Sequence, residues 1–176
     1  MIGTDISPAQ STWVPPNLTF EIEDATMDWT FPENHFDYVH LRYLFGSIAD
    51  WPRLLSQAYR VCKPGGYVES YEASCVFRSE DGTLLPGSPL DEWGKVFVEA
   101  GKKFGRPFDV VGDGLVQDAF KKAGFSNIVE WEFKVSNYHG CSCQPGSGYS
   151  NGAVPCGGMA SEQEVQGDRH VCSAGN

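Results

Sequence analysis

Phe36-Asp37-Tyr38-Val39-His40-Leu41-Arg42-Tyr43-Leu44 is followed, after a polar turn, by Trp51-Pro52-Arg53-Leu54-Leu55-Ser56-Gln57-Ala58-Tyr59-Arg60-Val61-Cys62, then Lys63-Pro64-Gly65-Gly66, then Tyr67-Val68-Glu69-Ser70-Tyr71-Glu72. In the middle piece Trp51, Leu54, Leu55, Ala58, Tyr59 and Cys62 recur at helical spacing and make one apolar stripe. Asp50 suits the N-cap, and Pro52 falls in the first turn, where a missing N–H costs nothing. Lys63 favours the negative end of the helix dipole, and Pro64-Gly65-Gly66 stops the helix. The flanking runs are short and β-rich. Strand, crossover helix, strand is the βαβ unit of a parallel sheet, and such crossovers are almost always right-handed.

Upstream, Met1 to Ile6 reads as the end of a strand, and Ser7-Pro8 as its exit turn. Pro15 and Pro16 forbid a helix over residues 9–17. Leu18-Thr19-Phe20-Glu21-Ile22-Glu23 alternates as a half-buried or edge strand does, and it runs into Asp24-Ala25 and an aromatic loop through Trp29 and Phe31. Downstream of Glu72 a loop with Gly82, Pro86 and Gly87 is expected. Ser88-Pro89 then opens a helix whose stripe is Leu90, Trp93, Phe97, Ala100 and Phe104, ended by Gly105-Arg106-Pro107. A shorter helix is expected from about Leu115 to Ala123, with Leu115, Val116, Ala119, Phe120 and Ala123 inward and Gly124 as its stop. From Ile128 to Val135 the chain alternates, with Val129, Trp131, Phe133 and Val135 on one side, as in a strand with one covered face.

From Ser136 the pattern fails. Residues 136–176 are rich in Gly, Ser and Cys and show neither period, so they divide the chain into an ordered part, 1–135, and a tail expected to be disordered. Cys141, Cys143, Cys156 and Cys172 crowd that tail with His139 and His170, but their spacings match no compact zinc pattern, and no metal site is expected. The net charge of −10 argues against nucleic acid as a direct partner and against an anionic membrane surface. No apolar run approaches the roughly 20 residues that span a bilayer, and the N-terminus does not read as a signal peptide. A cytoplasmic or nuclear protein with reduced cysteines is the expectation.

Gly3-Thr4-Asp5-Ile6-Ser7-Pro8, Glu23-Asp24-Ala25, Phe36-Asp37-Tyr38-Val39 and Lys63-Pro64-Gly65-Gly66-Tyr67 resemble, in order, motifs of S-adenosylmethionine-dependent methyltransferases of the Rossmann-like class. Trp13-Val14-Pro15-Pro16-Asn17 and the run from Tyr38 to Trp51 are similar to the fungal LaeA-like branch, which is linked to secondary metabolism. The resemblance covers about residues 1–135. It implies an α/β fold, a Rossmann-like methyltransferase sheet with flanking helices, and S-adenosyl-L-methionine as cofactor.

Carried over, it puts Asp5 on the ribose hydroxyls, with Ile6 beside it, and Asp24 on the adenine amino group, with Ala25 as the adjoining backbone contact. Asx turns are the plainer reading of both aspartates. Arg42 lies just past a strand end, where crevice ligands sit, and is a candidate for the cofactor. Tyr43 and Glu72 are candidates for the substrate. His40 reads as a packed strand histidine, and Glu69 and Glu72 as a solvated strand end unless they face the cleft. Methyl transfer from a sulfonium asks mainly for alignment and exclusion of water, so no general base is nominated.

Against that family the chain lacks the first, central strand with its Gly-rich loop, and the last strand, which would lie beside Ile128 to Val135. It therefore reads as truncated at both ends, with catalysis impaired. The methyl acceptor, small molecule or protein, is not specified. The alternative is a non-catalytic fragment acting through protein partners as an interaction or regulatory module. A nicotinamide-dependent dehydrogenase ranks last, since it gives no account of Asp24-Ala25 or of Lys63-Pro64-Gly65-Gly66.

Overall fold

The computed structural model describes residues 1–11, 13–79, 82–136 and 164–174. Its elements in chain order are β1 (Ile2–Asp5), β2 (Thr19–Ile22), β3 (Phe36–Arg42), α1 (Trp51–Val61), β4 (Cys62–Arg78), α2 (Pro89–Phe104), α3 (Leu115–Ala123), β5 (Phe125–Ser136) and β6 (Glu164–Ala174). Strands β1 and β2 form a two-stranded parallel sheet, and a four-stranded sheet has the order β3-β4-β6-β5. β3 and β4 pair in parallel through α1, which is the expected βαβ unit. No helix among the described residues is long and apolar enough to cross a membrane.

The crossover forms for the reasons visible in its sequence. The Asp50 carboxylate accepts from the Arg53 N–H at 2.9 Å, and Pro52 occupies the first turn. Trp51, Leu54, Leu55 and Ala58 are buried in one cluster with Val116, Ala119 and Phe120 of α3 and with Leu41 and Val68 of the sheet. Lys63-Pro64-Gly65-Gly66 does more than end the helix. Phe36 pairs with Cys62 and Tyr38 with Tyr67, so four residues of β4 bulge opposite Asp37. Gly65 turns at φ 77°, Lys63 pairs with Asp37 at 2.8 Å, and a Cβ on Gly66 would stand 2.9 Å from the Asp37 carbonyl oxygen. That close approach is why this position is glycine.

Several expectations need correction. β4 continues beyond Glu72 to Arg78: Ala73 pairs with Gly167 of β6 and, after a register shift, Phe77 and Arg78 pair with Val165 and Glu164, and Val76 and Phe77 are strand formers. In α2 the expected stripe is covered only in part: Leu90, Phe97 and Ala100 are half-buried, Trp93 is 56% exposed and Phe104 77%, and Gly94 and Gly101 are the buried residues. A Cβ on Gly94 would meet the Cys75 carbonyl oxygen at 2.6 Å, so α2 lies backbone to backbone against β4 on its glycine side. Leu115 is exposed at the start of α3, while Val116, Ala119 and Phe120 carry the packing.

On the face of β5 expected to be covered, Val129 is 43% and Trp131 47% exposed. Asn127 at φ 55° and a register shift between Ser126 and Val129 put Phe125 and Ile128 on the core side instead. α1 and α3 cover only that side of the sheet. On the other, Tyr38 and Tyr67, paired across β3 and β4, are also exposed.

The slot beside β5, which the sequence reading leaves without its last strand, is filled by β6, antiparallel to both β4 and β5. Residues 164–174 thus form a strand where a disordered tail is expected. Their weak apolar pattern matters little between two long strands that offer backbone partners on both edges. Residues 137–163, 175 and 176, where that expectation also applies, lie outside the described residues. No strand among the described residues joins β1 to β3.

Candidate functional site

The C-terminal ends of the parallel strands carry the candidate residues, which fall into two groups. The first stands at the tips of β1 and β2. The register Asp5↔Ile22 and the Glu23 N–H to Asp5 C=O bond of 3.0 Å set Asp5 beside the approach to Asp24. Both carboxylates cap turns. Asp5 accepts from the Ser7 N–H at 2.8 Å through one oxygen and from the Gln10 amide at 3.1 Å through the other. Asp24 accepts from the Thr26 N–H at 2.9 Å and the Thr26 hydroxyl at 2.7 Å, both on Oδ1. Oδ2 of Asp24 has no hydrogen-bond partner among the described residues. Those two bonds, and more weakly the Arg106 charge, hold the Asp24 carboxyl below the usual range. Ile6 is exposed.

The loop after Asp24 is fixed by α1. Arg53 donates to the Thr26 carbonyl at 3.0 Å and to the Asp28 carboxylate at 2.7 Å. Gln57 accepts from the Trp29 N–H and donates to the Met27 carbonyl, each at 2.6 Å. Arg60 donates to the carbonyls of Phe31 at 2.9 Å and Trp29 at 2.8 Å. Arg53, Gln57 and Arg60 sit at i, i+4 and i+7, a polar stripe beside the apolar one. Sequence reasoning missed these three residues, although that spacing is their signal.

Between this loop and the start of α1 lies a cavity of about 280 Å³, with Ala25, Met27, Ile48, Leu54, Gln57 and Arg106 in its wall. Arg106 arrives from the α2–α3 connection, and nothing in the sequence marks it for this place. The volume lies near the low end of the ~300–1,000 Å³ of small-molecule pockets, so a nucleobase-sized group suits it and a whole nucleoside cofactor would extend out of it.

The second group stands at the end of β3 and beside it in the middle of β4, where Arg42 pairs with Tyr71. Arg42 and Tyr43 are exposed, and the Arg42 guanidinium lies over the rings of Tyr43 at 5.0 Å and Tyr71 at 5.5 Å. Neither residue lines the Ala25 cavity; the segment from Leu44 to Asp50 connects them to it. Glu72 is corrected from a solvated strand end. It is fully buried rather than solvated, and accepts from the N–H groups of Leu44 and Phe45, each at 2.9 Å. Burial pushes its pKa up to about 7, against those N–H bonds and the Ser70 hydroxyl. His40 is not packed away: its ring is 38% exposed, with Nδ1 2.6 Å from the buried Glu69 carboxylate, which Tyr38 also engages.

The comparisons with known proteins agree on one family. The family described as methyltransferase domain matches residues 1–128. Methyltransferase pytC of Aspergillus terreus is 38% identical over 135 residues, 77% of this chain and 41% of that protein. The secondary metabolism regulator LAE1 of Cochliobolus heterostrophus is 33% identical over 137 residues, 77% of this chain and 44% of that protein. The chain therefore spans about two fifths of the length of these curated relatives. Among solved structures, a SAM-dependent methyltransferase of Methanosarcina mazei superposes with a TM-score of 0.55 at 13% identity, over 99% of this chain and 81% of that one.

Proposed function

The chain belongs to the methyltransferase family, and on that premise we propose that it binds S-adenosylmethionine with the adenine in the Ala25 cavity, as part of a protein that methylates a still unspecified acceptor in the cytoplasm or nucleus. One observation carries the reading: the Ala25–Met27 turn and the Ile48–Leu54 segment line a base-sized cavity, and Asp24, the residue before Ala25, bonds Thr26 through Oδ1 alone. In this assignment Asp24 Oδ2 accepts from the exocyclic amino group, and Ala25, Met27, Ile48 and Leu54 give the ring an apolar wall. Asp5 would take the ribose hydroxyls; its oxygens keep lone pairs beyond the Ser7 and Gln10 bonds. Arg42, exposed with its guanidinium over the Tyr43 ring, would take the carboxylate of the methionine part. The cofactor supplies a methyl group already activated on a sulfonium. The protein's share is to hold the donor, align it and exclude water, and fixing the 24–31 loop on α1 serves that alignment.

A second reading, an interaction module, is favoured by the open sheet face bearing Tyr38, Tyr67, Val129 and Trp131. Isothermal titration of the full chain with S-adenosylhomocysteine separates the two. Micromolar binding is expected, weakened about three- to tenfold by Asp24→Ala, the range for losing one exposed hydrogen bond. A folded chain that binds nothing would remove the cofactor assignment.

A further inference from the structure

We propose that Glu72 is the positioning residue of this site: through one carboxyl oxygen it holds the Leu44 and Phe45 N–H groups and so fixes the segment that presents Arg42 and Tyr43 on one side and Ile48 on the other. The proposal rests on reading the Ala25 cavity as a cofactor site. Its basis is a short chain of bonds. Tyr43 donates its N–H to the Tyr71 carbonyl at 3.0 Å and adopts φ 52°, a left-handed backbone that is uncommon for a side-chain-bearing residue. That turn aims the next two N–H groups at Glu72. Both reach Oε2 at 2.9 Å, while Oε1 takes a longer contact from Leu44 at 3.2 Å and the Ser70 hydroxyl at 3.5 Å. The Leu44 carbonyl then accepts from the Ser47 N–H at 3.0 Å and the Ile48 N–H at 3.3 Å, which places Ile48 in the cavity wall. Gly46, donating to the Pro107 carbonyl at 2.7 Å, ties the same turn to the loop that carries Arg106.

Because one oxygen does the holding, an amide can replace the carboxyl and a hydrocarbon cannot. Glu72→Gln keeps a carbonyl oxygen in place. Glu72→Leu fills the buried volume but leaves two N–H groups without an acceptor. Amide hydrogen exchange by NMR on the full chain reads the difference without any ligand. Relative to wild type, Glu72→Leu should speed exchange at Leu44 and Phe45 by about tenfold or more while α1 keeps its protection, and Glu72→Gln should stay within about threefold. Affinity for S-adenosylhomocysteine should follow the same order. Unchanged exchange at Leu44 and Phe45 in Glu72→Leu would overturn the proposal, as would equal acceleration throughout α1 and β3. A wild-type chain that binds no S-adenosylhomocysteine, yet shows the local exchange pattern, would remove the cofactor reading and support the clasp.

Discussion

Replacing Leu55 with alanine is expected to destabilise the chain by about 2–5 kcal/mol, the range for emptying a fully buried leucine site. Leu55 has no exposed surface and stands in the middle of the α1 stripe, between α3 and the sheet. Little relaxation is available there, since Leu54 and Ala58 are also buried and Phe120 is edge-on to Phe125 at 5.1 Å. Set against the ~5–15 kcal/mol of total stability usual for a domain, the loss is large. It should reach the site as well, because α1 holds the 26–31 loop through Arg53, Gln57 and Arg60. Urea denaturation measures it as a fall in midpoint at constant m-value. A loss below about 1 kcal/mol would mean that α1 is not the packing centre assigned to it.

Stability should also decline as pH rises from about 4.5 to 7, by ~3 kcal/mol from Glu72 alone. Burial raises the Glu72 carboxyl in the folded chain to about 7 from an ordinary 4.5. Across that window the folded state keeps a proton that the unfolded state has lost, so the contribution is full below the lower value and gone above the higher one. Asp24, Asp37, Asp91 and Glu99 are shifted the other way, by hydrogen bonds to Thr26, Lys63, Lys95 and Lys102, so they favour folding at higher pH and lose that effect only in acid. Glu72→Gln isolates the one term: denaturation at pH 5 and pH 7.5 should show a smaller decline in the variant than in wild type. Equal declines would show that the carboxyl is not desolvated as the fold requires.

What the sequence disclosed follows from the kind of signal each element carries. The βαβ unit was legible because its helix repeats apolar residues at one period, has a capping Asp50, and stops at glycines. α2 is legible as a helix but only partly in orientation: Leu90, Phe97 and Ala100 of its stripe are half-buried, whereas the close contact with β4 is made at Gly94, which has no side chain to announce it. In β5 the alternation does not show which of Val129 and Ile128 is covered, because a bulge at Asn127 shifts it by local backbone geometry. β6 escaped notice because its place between β4 and β5 depends on partners distant in sequence. In the site, Asp5, Asp24 and Ala25 stand out as motif residues at strand ends. Arg106 comes from a helix-terminating loop and Glu72 turns inward, and only the tertiary arrangement reveals either.

The central claim is that the Ala25 cavity and the Leu44–Asp50 segment form one cofactor site. Amide chemical shifts of the full chain, followed by NMR during titration with S-adenosylhomocysteine, test it most directly. The account predicts that the changes concentrate at Asp24 to Met27 and Leu44 to Asp50 and leave the middle of α2 unmoved. Changes centred on Tyr38, Tyr67 and Trp131 instead, or none in a folded chain, would contradict it.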